Sequence, residues 1–203
     1  AVYMYDQIGF GTRVEEGQYF YERFPRWSKL GRMVSDVRWA IDELVTVDLL
    51  DPSRILVAGY ALGGKVGLYS AALDDRIAGV ISVAGFTPLR TAGDGGTAEG
   101  IYAYSHLHGL LPRLGFFAGH EERVPFDYHE ILATVAPRPL LIISPTWDQY
   151  ASFEDVCQAV EESRGVYRLY GAEENLQQVA PEDYNRLSPA MRTHMVEWAT
   201  RQF

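Results

Sequence analysis

The chain has 203 residues, 47% of them hydrophobic and 22% charged, which is enough apolar material for the core of one domain of ordinary size. Scattered rather than periodic glycines exclude a collagen-like repeat, and the single cysteine, Cys157, excludes a disulfide scaffold. With 27 acidic against 18 basic side chains the formal net charge is -9, which repels polyanions and argues against nucleic acid or an anionic membrane and for a small, neutral ligand.

In chain order, Val2–Tyr5 reads as a first strand ending at the Gly9 and Gly11 turn, not as the charged and apolar halves of a signal peptide. A chain that opens inside a strand predicts further strands upstream of Ala1. No apolar run approaches the roughly 20 residues of a membrane helix, so a soluble domain is expected. Trp27, Leu30, Met33, Val34, Val37, Ile41 and Leu44 recur at threes and fours, marking an amphipathic helix. The turn Asp51-Pro52-Ser53 precedes a wholly apolar strand at Ile55–Ala58, and an Ala- and Gly-rich helix follows at Leu62–Leu73. Ile77–Val83 is the next buried strand, and Leu140–Ser144 another, announced by Ala136-Pro137-Arg138-Pro139. Phe153–Ser163 reads as a helix, Val166–Tyr170 as a strand and Pro189–Phe203 as the closing helix. The alternation predicts a single α/β domain over residues 1–203, its five strands in one mostly parallel sheet flanked by helices.

Residues 87–130 interrupt this rhythm with a Gly-rich stretch (Gly93, Gly95, Gly96), aromatics, histidines, Pro112 and Pro125 but no sustained period. A connection of that length is expected to be a lid or binding insertion. His106, His108, Arg113 and His120 are its candidate substrate-binding residues, with Tyr60 beside them. The histidines fall at no metal-ligand spacing, and the glycines lack the strand-to-helix setting and Lys-Ser/Thr of a phosphate loop, so no metal or cofactor is expected. Lys65 reads as an ordinary surface lysine, and His129 and His194 as structural and solvated.

Gly59-Tyr60-Ala61-Leu62-Gly63-Gly64 sits where a buried strand turns directly into a helix. It resembles the nucleophile elbow, G-x-S-x-G, of the α/β-hydrolases, whose glycines let strand and helix pass closely. Asp6-Gln7-Ile8-Gly9-Phe10-Gly11 resembles the strand and turn before the first large helix of these folds. Ala136 to Ile142 with Asp148 resembles the strand that carries the triad acid. The likeness is to the dienelactone-hydrolase and acetyl-xylan-esterase-like branches, many of which act on acyl groups or carbohydrate esters.

What the resemblance implies for the site is a depleted triad. Ala61 stands at the nucleophile position, Asp148 at the acid position and Asn185, just ahead of the last helix, at the histidine position. The backbone N–H of Leu62 is one implied oxyanion donor, and the other would precede residue 1. An alanine methyl cannot attack a carbonyl, and an amide does not act as a base near neutral pH. The expectation is a relative of serine esterases of small or carbohydrate esters that is inactive in ordinary ester hydrolysis, its partner a small or carbohydrate ester ligand. Two alternatives stand: a non-catalytic binding or scaffold protein, or different chemistry in the same cleft through residues of the insertion.

Overall fold

A computed structural model of the chain describes residues 1–91, 100–107 and 109–202. Two short helices, α1 (Val14–Gln18) and α2 (Phe20–Arg23), lead into α3 (Lys29–Leu44), which begins where the Ser28 hydroxyl accepts from the Gly31 N–H and buries Leu30, Met33, Val37 and Ile41 along one stripe. Strand β1 (Leu56–Tyr60) then turns into α4 (Leu62–Leu73), and β2 (Gly79–Val83) follows. Helix α5 (Gly100–Tyr102) lies in the insertion, and α6 (Tyr128–Val135) starts at a capping box in which Asp127 and Glu130 bond each other's backbone. Strand β3 (Leu140–Ile143), α7 (Phe153–Leu169), β4 (Leu176–Val179) and α8 (Pro189–Gln202) complete the order.

The four strands pair in sequence order, every pair parallel. Their side chains alternate between two cores: Val80, Leu140 and Ile142 join the larger cluster, while Ile81, Val83, Leu141 and Ile143 face Met191 and Trp198 of α8. Helices thus cover both faces, as the near-continuous apolar runs of β2 and β3 require.

Two predicted strands are corrected. Val2–Tyr5 is in no strand; Val2 and Met4 are 86% and 85% exposed, so alternating β-formers here meet no neighbouring strand. Val166–Tyr170 is the tail and cap of α7, because Val156, Ala159, Val160, Ser163 and Tyr167 continue a helical stripe into the core and outweigh the β-propensity of Val166 and Tyr167. The fourth strand is instead Leu176–Val179, whose Gln177 and Gln178 hid it among polar residues.

Candidate functional site

The elbow forms as its glycines predict. Ala61 caps α4 with φ 48° and ψ −114°, a backbone conformation that costs an alanine of order 1–3 kcal/mol, and its N–H bonds the Val83 carbonyl at 2.9 Å. An added Cβ at Gly59 would lie 2.1 Å from the backbone carbon of Gly63. Gly63 itself has nothing within 4 Å, so the expectation that both glycines are sterically required is corrected: the second close approach belongs to Gly64, whose Cβ would meet the Ser82 hydroxyl at 2.7 Å and the Gly59 carbonyl at 3.0 Å. Ala61 therefore stands at the carboxyl end of β1, where ligands of open parallel sheets bind. Leu62 is the first residue of α4, so its N–H is among those a helix start leaves without an intrahelical acceptor.

Asp148 and Asn185 meet beside the elbow. The Asn185 Nδ2 donates to both carboxylate oxygens of Asp148 at 2.9 Å, and the Tyr150 N–H donates to Asp148 Oδ1 at 2.9 Å. The Tyr60 hydroxyl, one residue before Ala61, donates to the Asn185 side-chain oxygen at 2.6 Å and lies 2.9 Å from its backbone carbonyl. Partial burial and the nearby Asp148 charge push the Tyr60 hydroxyl above its usual pKa, keeping it a donor. Tyr60, expected to touch substrate, is thus engaged in tying the β1 end to the Asn185 loop.

The loops carrying Asp148 and Asn185 continue the β3–β4 pairing beyond the strands. Ser144, Thr146 and Trp147 N–H groups donate to the carbonyls of Val179, Pro181 and Asp183 at 2.9, 3.0 and 3.1 Å, and Trp147 pairs with Tyr184 in a parallel bridge. A cleft opens at the carboxyl ends of β2 and β3, lined by Ala84, Phe86, Ile143, Ser144, Asp148 and Phe153 among others.

The insertion residues sit elsewhere. His106, Arg113 and His120 are exposed and line no part of that cleft. His106 bonds the neighbouring Ser105 hydroxyl at 2.6 Å and packs on Tyr102, and His120 lies 3.8 Å from the Glu122 carboxylate. His108 and the Gly93–Gly96 stretch lie outside the described residues. The aromatic part of the insertion is core: Tyr104 and Tyr128 are fully buried with their hydroxyls bonded to each other, Leu110 accepts from the Leu30 N–H of α3, and Tyr21 bonds the Gly109 carbonyl.

Lys65 corrects the surface reading of that residue. It lies one turn into α4, 9% exposed, with its amine 4.0 Å from the Tyr104 ring centre, and burial lowers its pKa to about 8. No ion pair to it is present among the described residues. The available signal was that Lys65 is the sole charge between Leu62 and Leu73, and a helix apolar all round is a buried one.

Comparison with known proteins follows the same outline. Residues 1–171 match a family described as "Glucuronyl esterase, fungi". The chain is 30% identical over 149 residues to carbohydrate esterase MZ0003 of an unknown prokaryotic organism, a stretch that is 72% of this chain and 34% of that protein. It is 28% identical over 172 residues to the putative hydrolase YtaP of Bacillus subtilis (strain 168), 82% of this chain and 53% of that one. It thus spans about a third and about half of the curated relatives it matches. Among solved structures, a promiscuous CE15 esterase from a marine bacterial metagenome superposes with a TM-score of 0.77 at 20% identity, over 97% of this chain and 55% of that one. A CE15 glucuronoyl esterase from Caldicellulosiruptor kristjansonii gives 0.76 at 20% identity, over 91% and 54%. At such identities the likeness establishes the fold, and it runs to glucuronoyl esterases where the motifs resemble the dienelactone-hydrolase and acetyl-xylan-esterase branches.

Proposed function

This chain belongs to the glucuronyl esterase family, and from that premise we propose that it holds a carbohydrate ester at the carboxyl end of its sheet without hydrolysing it by the serine route. In this reading Ala61, Asp148 and Asn185 occupy the nucleophile, acid and histidine positions, and the Leu62 N–H is an oxyanion donor. The single observation that carries it is the amide of Asn185, which is engaged at both ends: Nδ2 on Asp148 and Oδ1 on Tyr60. A triad histidine keeps one ring nitrogen free to take the nucleophile's proton. Here no atom of the residue at that place does so, and the methyl of Ala61 has no proton to give. The rival chemistry through the insertion draws no support from His106, Arg113 and His120, which are exposed and line no part of the cleft.

The test is a burst and steady-state assay with an aryl acetate and with the methyl ester of glucuronic acid. Wild type and Ala61→Ser are expected to show neither burst nor turnover, and Ala61→Ser with Asn185→His to show measurable acyl transfer. Robust hydrolysis by the wild-type chain overturns the reading.

A further inference from the structure

We propose that Trp147, Tyr184 and Tyr150 form a stacking platform for a neutral sugar ring, adjoining the Asp148–Asn185 pair; the idea rests on the carbohydrate-ligand reading above and adds a place and a chemistry to it. These three aromatics are 52%, 64% and 51% exposed. Trp147 and Tyr184, their ring centres 5.3 Å apart, leave to water an apolar surface of the kind that marks a binding site, and Tyr150 is exposed on the same pair of loops.

Their backbone is fixed before any ligand arrives. Trp147 and Tyr184 face each other across the bridge that extends β3 and β4, with the Trp147 N–H on Asp183, and Tyr150 is held by its N–H on Asp148. Aromatic side chains on ordered main chain give much contact area for little loss of conformational freedom. The Trp147 and Tyr184 rings lie 5.3 Å apart and tilted by 57°, so they are not stacked face to face.

The surroundings select the ligand. A pyranose offers apolar C–H faces bounded by hydroxyls; the ring faces suit the first, and Asp148, Asp183 and the exposed Gln149 suit the second. A plain aryl alcohol would use the rings and leave that polar border idle. An anionic sugar would meet Asp148, Glu182 and Asp183, while the cation that follows on the same loop, Arg186, is engaged with Asp183 at 2.7 Å. The platform is also continuous with the candidate site, since Trp147 precedes Asp148 and Tyr184 precedes Asn185.

Calorimetric titration of the full chain with cellohexaose, with the methyl ester of glucuronic acid and with cinnamyl alcohol tests this. Cellohexaose is expected to bind, and Trp147→Ala and Tyr184→Ala each to weaken it about tenfold, in line with the energies of aromatic contacts. Trp147→Phe should keep most of the affinity, and binding of the glucuronate ester should be unchanged in all three. Thermal unfolding of each variant confirms that it is folded. The platform is overturned if wild type ignores cellohexaose, if the alanine variants bind it as wild type does, or if cinnamyl alcohol binds more tightly. Loss of glucuronate-ester binding alone, with cellohexaose behaving as expected, would instead sink the reading of the elbow and leave the platform standing.

Discussion

The elbow and the insertion both follow the carboxyl ends of strands, yet they are held by different matter. At the elbow, main chain packs on main chain: Gly59 lies against the backbone of Gly63 and Gly64 against the Gly59 carbonyl and Gly85. In the insertion, side chains hold the segment: Tyr128 stacks on Phe86 with ring centres 4.4 Å apart, Tyr69 meets it edge-on at 6.0 Å, and Tyr104 bonds its hydroxyl. The first arrangement rests on backbone contacts and is intolerant of bulk at its glycines. The second depends on the identity of its rings. Lys65 is where they meet, carried by the elbow helix and covered by the insertion's Tyr104.

The sharpest way to break this contrast is at the glycines. Gly59→Ala must push two backbones apart and is expected to destabilise the chain by about 4 kcal/mol, whereas Gly63→Ala, with open space at its Cβ and a helical backbone, is expected to be neutral or to stabilise by up to about 1 kcal/mol. Denaturant unfolding of the pair checks it; equal losses would mean that the elbow is not a main-chain contact.

Lys65→Met probes the junction. Because the folded pKa is lowered from 10.5 to about 8, the charged amine opposes folding; that cost is full below about pH 8 and fades as pH rises toward 10.5. The substitution is therefore expected to stabilise at pH 7 by about 2 to 3 kcal/mol, the Tyr104 ring offsetting part of the burial cost. It should also remove this residue's rise in stability between pH 8 and 10.5. Unfolding measured across that range decides the matter, and a loss of stability at pH 7 would show that the amine has a partner worth more than its burial costs.

The smallest effect is expected at the elbow apex. Ala61→Gly releases a strained φ of 48° and should stabilise by about 1 kcal/mol once the extra freedom of glycine in the unfolded chain is counted. A loss would mean that the methyl packs as well as strains.

The legible parts of this molecule were those encoded locally. The elbow could be read because Gly59 is demanded by a contact a few residues away, although the second close approach falls on Gly64 and not on Gly63 as expected, and β2 and β3 because burial on both faces leaves a near-continuous apolar run. Ala61, Asp148 and Asn185 could be listed from chain order, but the grip of Asn185 on Asp148 and of Tyr60 on Asn185 spans 37 and 125 residues and has no local trace. Tertiary context also decided the failures. Val166 and Tyr167 favour strands yet sit on a helical stripe, and Gln177 and Gln178 look like loop yet pair with β3. Lys65 was misread because its charge was taken at face value inside a helix with no polar side.

The three main-chain bonds running on from β3 and β4 to Trp147 and Asp183 make the two loops a single mechanical unit. Their amides should open to hydrogen exchange in one event rather than two, since neither loop can leave without breaking the same rungs. Orientation at this end of the sheet is then inherited from the ladder, which presents the Asn185 amide to both oxygens of the Asp148 carboxylate. Chemistry in such a frame is changed by exchanging side chains on a standing support, and the support does not have to be rebuilt each time.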